Sequence, residues 1–352
     1  MYDERANMRN GHRTARQIAG SGLTILVWIC GWAGATAAAA AEPKVGERLE
    51  RRGDEIVACG QFFHTTAPVV LWTDPGGYDA YRVERRFVPP EEATWAEAQA
   101  AGIRSPNRYG HRDAALTPVQ VAKVHAEGWT LPDLRGVVDQ FVIHFDVCGT
   151  SSRCFQVLHD ARTLSVHFLL DVDGTIYQTL DLKERAYHAT IANTRSIGIE
   201  IANMGAYPAG KPAPALETWY GRDDDGKTRL TIPESARPES IRTRDAVFRP
   251  IRDEPVVGPI QGRELQQYDL TPQQYDSLIK LTATLCTIFP EIRCDYPRDP
   301  SGGLVPKKLE GEALKAYQGI LGHYHVQTNK VDPGPAFQWD RVIDGAKALM
   351  VP

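Results

Sequence analysis

The run VVDQFVIHFD, residues 137–146, constrains the fold more than any other stretch of this chain. It is apolar and of buried-strand length, so it reads as a strand inside a sheet. Around it strands and helices interleave. Leu164 to Asp171 and Thr175 to Leu180 read as two strands joined by Asp173-Gly174, a hairpin turn signal. Ser196 to Asn203, SIGIEIAN, is a further strand, and Gly319 to Val326 is strand-like. Thr117-Pro118-Val-Gln120 and Thr271-Pro272-Gln-Gln274 are capping boxes with proline at the first helical position. The first predicts a helix to about Glu127. The second opens a helix whose Tyr275, Leu278, Ile279 and Leu285 recur at helical spacing. Trp339 to Leu349 reads as a closing helix. That alternation makes the class α/β.

Residues 1–41 read as an export signal: Arg5, Arg9, Arg13 and Arg16 precede the uncharged stretch Ile18 to Ala41, which ends in alanines. An uncleaved anchor is the rival reading. Cleavage leaves a protein in the periplasm or outside the cell, with no stable membrane insertion. Residues 42–135 form an N-terminal α+β extension, in which GDEIVACGQFFHT and APVVLWTD read as strands, and 136–350 the catalytic domain. The latter carries a Pro-rich, charged insertion at about 206–267, whose length suggests a lid. Asp223, Asp224 and Asp225 lack the spaced partners of a calcium loop and read as solvated. With 40 Lys and Arg against 44 Asp and Glu, a net charge of −4, no nucleic-acid partner is expected. A monomer is the expected state. In an oxidising compartment Cys148 and Cys154 suit a loop-closing disulfide. Cys286 and Cys294 suit either a disulfide or buried thiols, and Cys59 is left over.

The chemistry gathers at His144, Glu200, His323 and Lys330-Val-Asp332-Pro-Gly-Pro. Two imidazoles and one carboxylate make a three-ligand zinc set with a fourth position for water. Zinc polarises a carbonyl and acidifies water, while an amide nitrogen leaves only when protonated. Glu200, a carboxylate inside an apolar strand, is the candidate acid/base, because such burial is costly without a purpose. Lys330 is placed to face an oxyanion.

In order, FVIHFD, LSVHFLLDVDGTIYQ, AYHATIANTRSIGIEIAN and GHYHVQTNKVDPGPAFQW resemble the family of bacterial muramoyl-alanine amidases, phage amidase lysozymes and animal peptidoglycan recognition proteins. The resemblance spans roughly 137–345. It implies a mixed central β-sheet flanked by helices, zinc in a surface groove, and a peptidoglycan or muropeptide substrate cut between N-acetylmuramic acid and L-alanine. It maps the zinc ligands onto His144, His323 and Asp332, the acid/base onto Glu200 and the second catalytic group onto Lys330. It places His188 and Asn193 along the substrate groove. The Cys148–Cys154 pair resembles a small disulfide loop of the recognition-protein branch. The alternative function is a peptidoglycan-binding module without catalysis.

The chain departs from the family's pattern at two places. Phe145-Asp146 follows the first ligand, and His325 stands where an acid is common. If extended, His323 and His325 share a face, making His325 a supporting group or a rival ligand. Tyr109-Gly-His111-Arg-Asp113 imitates the second-ligand motif but precedes the first ligand strand, and reads as a structural loop. His167 reads as a core or supporting group, and His64, His125 and His159 as structural or surface histidines.

Overall fold

The computed structural model describes residues 44–350, so the leader lies outside the described residues. Residues Glu50–Pro352 make one compact unit. Among the described residues no helix is long and apolar enough to cross a membrane.

The lead segment opens with a hairpin, β1 (Glu55–Ala58) and β2 (Gln61–His64), followed by β3 (Val69–Leu71), a helix α1 (Trp95–Ala100), β4 (Tyr109–Gly110), α2 (Pro118–Glu127) and α3 (Leu131–Arg135). The single strand expected over GDEIVACGQFFHT is therefore a hairpin, turning at Cys59-Gly60, where both residues have positive φ. Next come β5 (Gln140–Phe145), α4 (Ser151–Phe155), β6 (Phe168–Leu170), β7 (Ile176–Gln178), β8 (Arg185–Ala186) and β9 (Ser196–Ile201). The insertion holds β10 (Tyr207–Pro208), α5 (Pro214–Trp219), β11 (Tyr220–Arg222), β12 (Thr228–Leu230), β13 (Val256–Ile260) and β14 (Arg263–Gln267). The chain closes with α6 (Pro272–Ile288), α7 (Gly311–Ala316), β15 (Gly319–Gly322), α8 (His323–Val326) and α9 (Trp339–Leu349). Both sequence-read capping boxes form, at Thr117 and Thr271.

The central sheet runs β15-β5-β9-β6-β7-β3. All neighbours are parallel except β6 and β7, joined by the Asp173-Gly174 turn, so the sheet is mixed as expected. The lead segment supplies the edge strand β3. Strand alternation sorts side chains onto two faces. Phe141, Ile143, Ile197, Ile199, Phe168 and Leu170 pack against Leu278, Leu281 and Leu285 of α6, backed by Val342 and Ile343 of α9. Each such buried side chain stabilises by about 1.5–3 kcal/mol. The opposite face carries Leu169, Tyr177 and Val70 against Cys154 and Phe155 of α4.

The insertion is built rather than loose. Its elements are two to six residues long, too short to show a period, but Leu216, Trp219, Tyr220 and Ala236 bury a small core of their own with Met204. Asp223 accepts the amides of Asp225 and Lys227 and pairs with Arg249, closing the β11–β12 turn. Two of its glutamines brace the segment that carries His323 and Asp332. Gln261 donates to the carbonyls of Tyr324 at 2.9 Å and Gln327 at 3.0 Å. Gln267 donates to Pro333 O at 3.0 Å and accepts from Ala336 N at 3.0 Å.

All five described cysteines are free thiols, so the expected Cys148–Cys154 bridge is not formed. Their sulfurs stand within 4.8 Å of each other and of an Asp146 oxygen. The Cys286 thiol donates to Cys294, which with burial raises the pKa of Cys286.

Candidate metal centre and catalytic pocket

Parallel pairing of β5 with β9 sets His144 directly opposite Glu200. Both are even-numbered positions in strands whose odd-numbered neighbours face α6, so both side chains emerge on the other face. β15 lies on the far side of β5 with Gly322 opposite Ile143. His323, the next residue, therefore leaves the sheet level with His144. The expected strand ends at Gly322, and His323–Val326 is one helical turn. A Cβ at Gly322 would sit 2.7 Å from Pro333 Cδ, so glycine lets the Asp332-Pro333 segment close over the start of α8. Tyr324 N donates to Asp332 O at 3.2 Å and holds it there.

Three donor atoms converge. His144 Nδ1 and His323 Nδ1 are 2.9 Å apart, and Asp332 Oδ2 lies 3.0 Å from the first and 2.9 Å from the second. The outer ring nitrogens fix the tautomers. His323 Nε2 is 2.6 Å from Gln327 Oε1, an acceptor, so Nε2 carries the proton and Nδ1 presents a lone pair. His144 Nε2 lies 3.0 Å from His188 Nδ1, and His188 Nε2 lies 3.2 Å from Ser196 Oγ; with each Nε2 protonated, His144 Nδ1 also presents a lone pair. Two imidazole lone pairs and a carboxylate thus face one point, buried at 1%, 4% and 6% exposure. Such a cluster repels itself unless a cation sits between, and an N,N,O donor set with oriented outer nitrogens fits zinc.

Burial, then the neighbouring His323, pushes His144 down to about 4, which favours the neutral imidazole. Burial opposes ionisation of Asp332, yet the adjacent His323 and His144, where protonated, hold it below the usual carboxylate range, so without a cation between them the three groups share protons instead. Glu200 is pushed well upward, first by burial and then by Asp332, Asp146 and Cys148, with Lys330 opposing. Its Oε2 is buried without a hydrogen-bond partner. Asp146, raised to about 7 by burial, accepts three amides, from Cys148, Gly149 and Asn203, through Oδ1.

Glu200, His323, Lys330 and Asp332 line a cavity of about 330 Å³, together with Asp146, His188, Cys148, Cys154, Leu158 and Tyr187. Asn193 is not at the cavity. Its Oδ1 accepts the amides of His188 at 3.1 Å and Ala189 at 2.6 Å, so it shapes the loop that presents His188. His325 points away, accepting from Gly322 N and reaching Val305 O, because one helical turn separates neighbours that a strand would align. His167 is a core group under β9, accepting from Gly198 N at 3.1 Å. Gln327, Ser196 and Gln261 were not singled out by sequence reasoning. Only Gln327 carried a signal, four residues after His323 on a helical turn.

Residues 134–335, more than half of the chain, match the model of N-acetylmuramoyl-L-alanine amidase. Among curated proteins no sequence matches. Of solved structures, an AmpD derivative is 17% identical with a TM-score of 0.31, covering 68% of this chain and 89% of that one. AmpDh3 from Pseudomonas aeruginosa, bound to an anhydromuramic pentapeptide, is 18% identical with a TM-score of 0.32, covering 59% of each chain. AmiD from E. coli, bound to anhydro-N-acetylmuramic acid-L-Ala-D-gamma-Glu-L-Lys, is 16% identical with a TM-score of 0.33, covering 59% of this chain and 57% of that one. On the extent of the match to that model, the chain belongs to the N-acetylmuramoyl-L-alanine amidase family.

Proposed function

We propose that this protein is a zinc-dependent amidase that hydrolyses the bond between N-acetylmuramic acid and L-alanine in peptidoglycan or muropeptides. The observation that carries the reading is the convergence of His144 Nδ1, His323 Nδ1 and Asp332 Oδ2 on one point, beside a cavity that His323, Asp332, Glu200 and Lys330 line. His144, His323 and Asp332 would hold the metal. Bound there, zinc supplies a Lewis acid for the scissile carbonyl and lowers the pKa of water.

The remaining roles belong to the chain. Glu200, with Oε2 unpartnered, takes a proton from the attacking water and delivers it to the leaving nitrogen. Lys330 stabilises the negative charge that develops on the carbonyl oxygen. His188 and Gln327 keep the ligand imidazoles turned with Nδ1 inward. Asn193 serves the same end by bracing the His188 loop. A monomer suffices, since every group named comes from one chain. Export by way of residues 1–41 is part of the proposal, and N-terminal sequencing of the mature protein tests it.

Digestion of purified peptidoglycan by zinc-loaded protein, with mass spectrometry of the products, tests the activity. Stem peptides beginning at L-alanine, released by the wild type and not by Glu200→Ala, are expected. Tight binding to the polymer with no peptide released by either protein would replace this reading with a binding module.

A further inference from the structure

The imitation motif Tyr109-Gly-His111-Arg-Asp113 has no part in the pocket, yet its geometry is specific. Arg112 is fully buried. It donates to the carbonyls of Thr194 at 2.7 Å, Asn193 at 3.3 Å, and Leu182 and Ser196 at 3.1 Å. With Arg112 pointing inward, its neighbours His111 and Asp113 are turned outward and held still. The capping box at Thr117 then starts α2, which returns His125 to the same spot. His125 Nε2 lies 3.0 Å from Asp113 Oδ2, and the rings of His111 and His125 are 5.5 Å apart. One donor atom from each of the three residues lies within 4.8 Å of the others. Ligands around a tetrahedral zinc stand about 3.4 Å from one another, so small side-chain adjustments complete the set. A second observation is independent of this clustering: Asp113 Oδ1 is buried and has no hydrogen-bond partner.

We propose that His111, Asp113 and His125 form a second zinc site, which clasps α2 to the loop carrying Arg112. Two imidazoles and one carboxylate suit zinc among the divalent ions, whereas calcium and magnesium take six or more oxygens. The site is partly exposed, so water completes the coordination. Its consequence is structural. β4, which leads into His111, pairs with β8, and β8 leads into His188. A metal here fixes α2 against the loop whose Arg112 binds the carbonyls of Asn193 and Thr194, beside the His188 loop.

The test is equilibrium dialysis of the full chain against micromolar zinc, with metal counted per chain and thermal unfolding followed with and without zinc. Two zinc ions are expected in the wild type. One is expected in His323→Ala, and one in His125→Ala and in Asp113→Asn. His323→Ala should keep part of the zinc-dependent rise in Tm, and the double variant His125→Ala/His323→Ala none of it. One zinc in the wild type and none in His125→Ala would still support the clasp while removing the metal from the catalytic reading. No zinc in His323→Ala, or two in His125→Ala, overturns the clasp.

Discussion

Replacing Gly198 with alanine should weaken zinc binding without touching a ligand. The Gly198 backbone has ordinary dihedral angles, so the substitution acts through space alone. A Cβ there would lie 2.5 Å from Cε1 and Nδ1 of His188 and 2.8 Å from its Cγ. Ordinary carbon contacts begin near 3.5 Å, so the ring must retreat by about 1 Å. That takes His188 Nδ1 out of reach of His144 Nε2, now 3.0 Å away. Overpacking of this kind costs about 1–3 kcal/mol, or a fall in Tm of about 2 °C per kcal/mol in a chain of this size. Loss of an outer partner of a ligand histidine weakens metal affinity by about 10–100-fold. Chelator competition reads the affinity, and unfolding of zinc-free protein reads the stability. Gly198→Ala/His188→Ala separates the two effects: the strain disappears with the ring, while zinc binding stays weak. Zinc affinity in Gly198→Ala within about twofold of the wild type would refute the orienting role of His188.

Three further outcomes follow from the geometry. Glu200→Gln should retain zinc and lose activity by about 10²–10⁴-fold, read by product release alongside metal content. Gln261→Ala removes bonds to Tyr324 O and Gln327 O and one from Lys308 N, each worth about 1 kcal/mol. It should lower both stability and zinc content, whereas an effect on substrate choice alone would support the lid suggested by the insertion's length. His167, held neutral at about 3 by burial and Arg112, favours the folded state only while uncharged. Its contribution is complete above its unfolded pKa of about 6.5 and is lost as pH falls toward 3, at about 1.4 kcal/mol per pH unit. Denaturant midpoints across that range should slope less steeply in His167→Gln.

The sheet and the cluster of His144, His323 and Asp332 were legible because strand alternation and ordered motifs are local signals. FVIHFD and SIGIE each bury odd-numbered apolar residues against α6 and turn His144 and Glu200 to the opposite face. What stayed hidden depends on contacts distant in sequence or on very short elements. The role of His325 stayed open because four residues after β15 are too few to distinguish a helical turn from a strand end. Asn193 was placed in the groove on motif order, whereas its side chain is spent on backbone amides five and four residues away. The bracing by Gln261 and Gln267 joins positions more than sixty residues apart, and nothing local marks them. The elements of the insertion could not be read from the sequence because none is long enough to show a repeat.

The edge strand β3 sets a schedule for synthesis. It pairs only with β7, made more than a hundred residues later. Val57 N waits for Gln178 Oε1, and the amides of Cys59 and Gly60 wait for Asp181. A chain leaves the ribosome from its N-terminus at about 5–20 residues per second. The lead segment therefore spends several seconds without the residues that satisfy it, and it joins the sheet only after the strand hairpin beyond it has emerged. Those partners are complete by Asp181, so the lead segment waits for about half of the chain and then settles before the helices and edge strand of the second half are made.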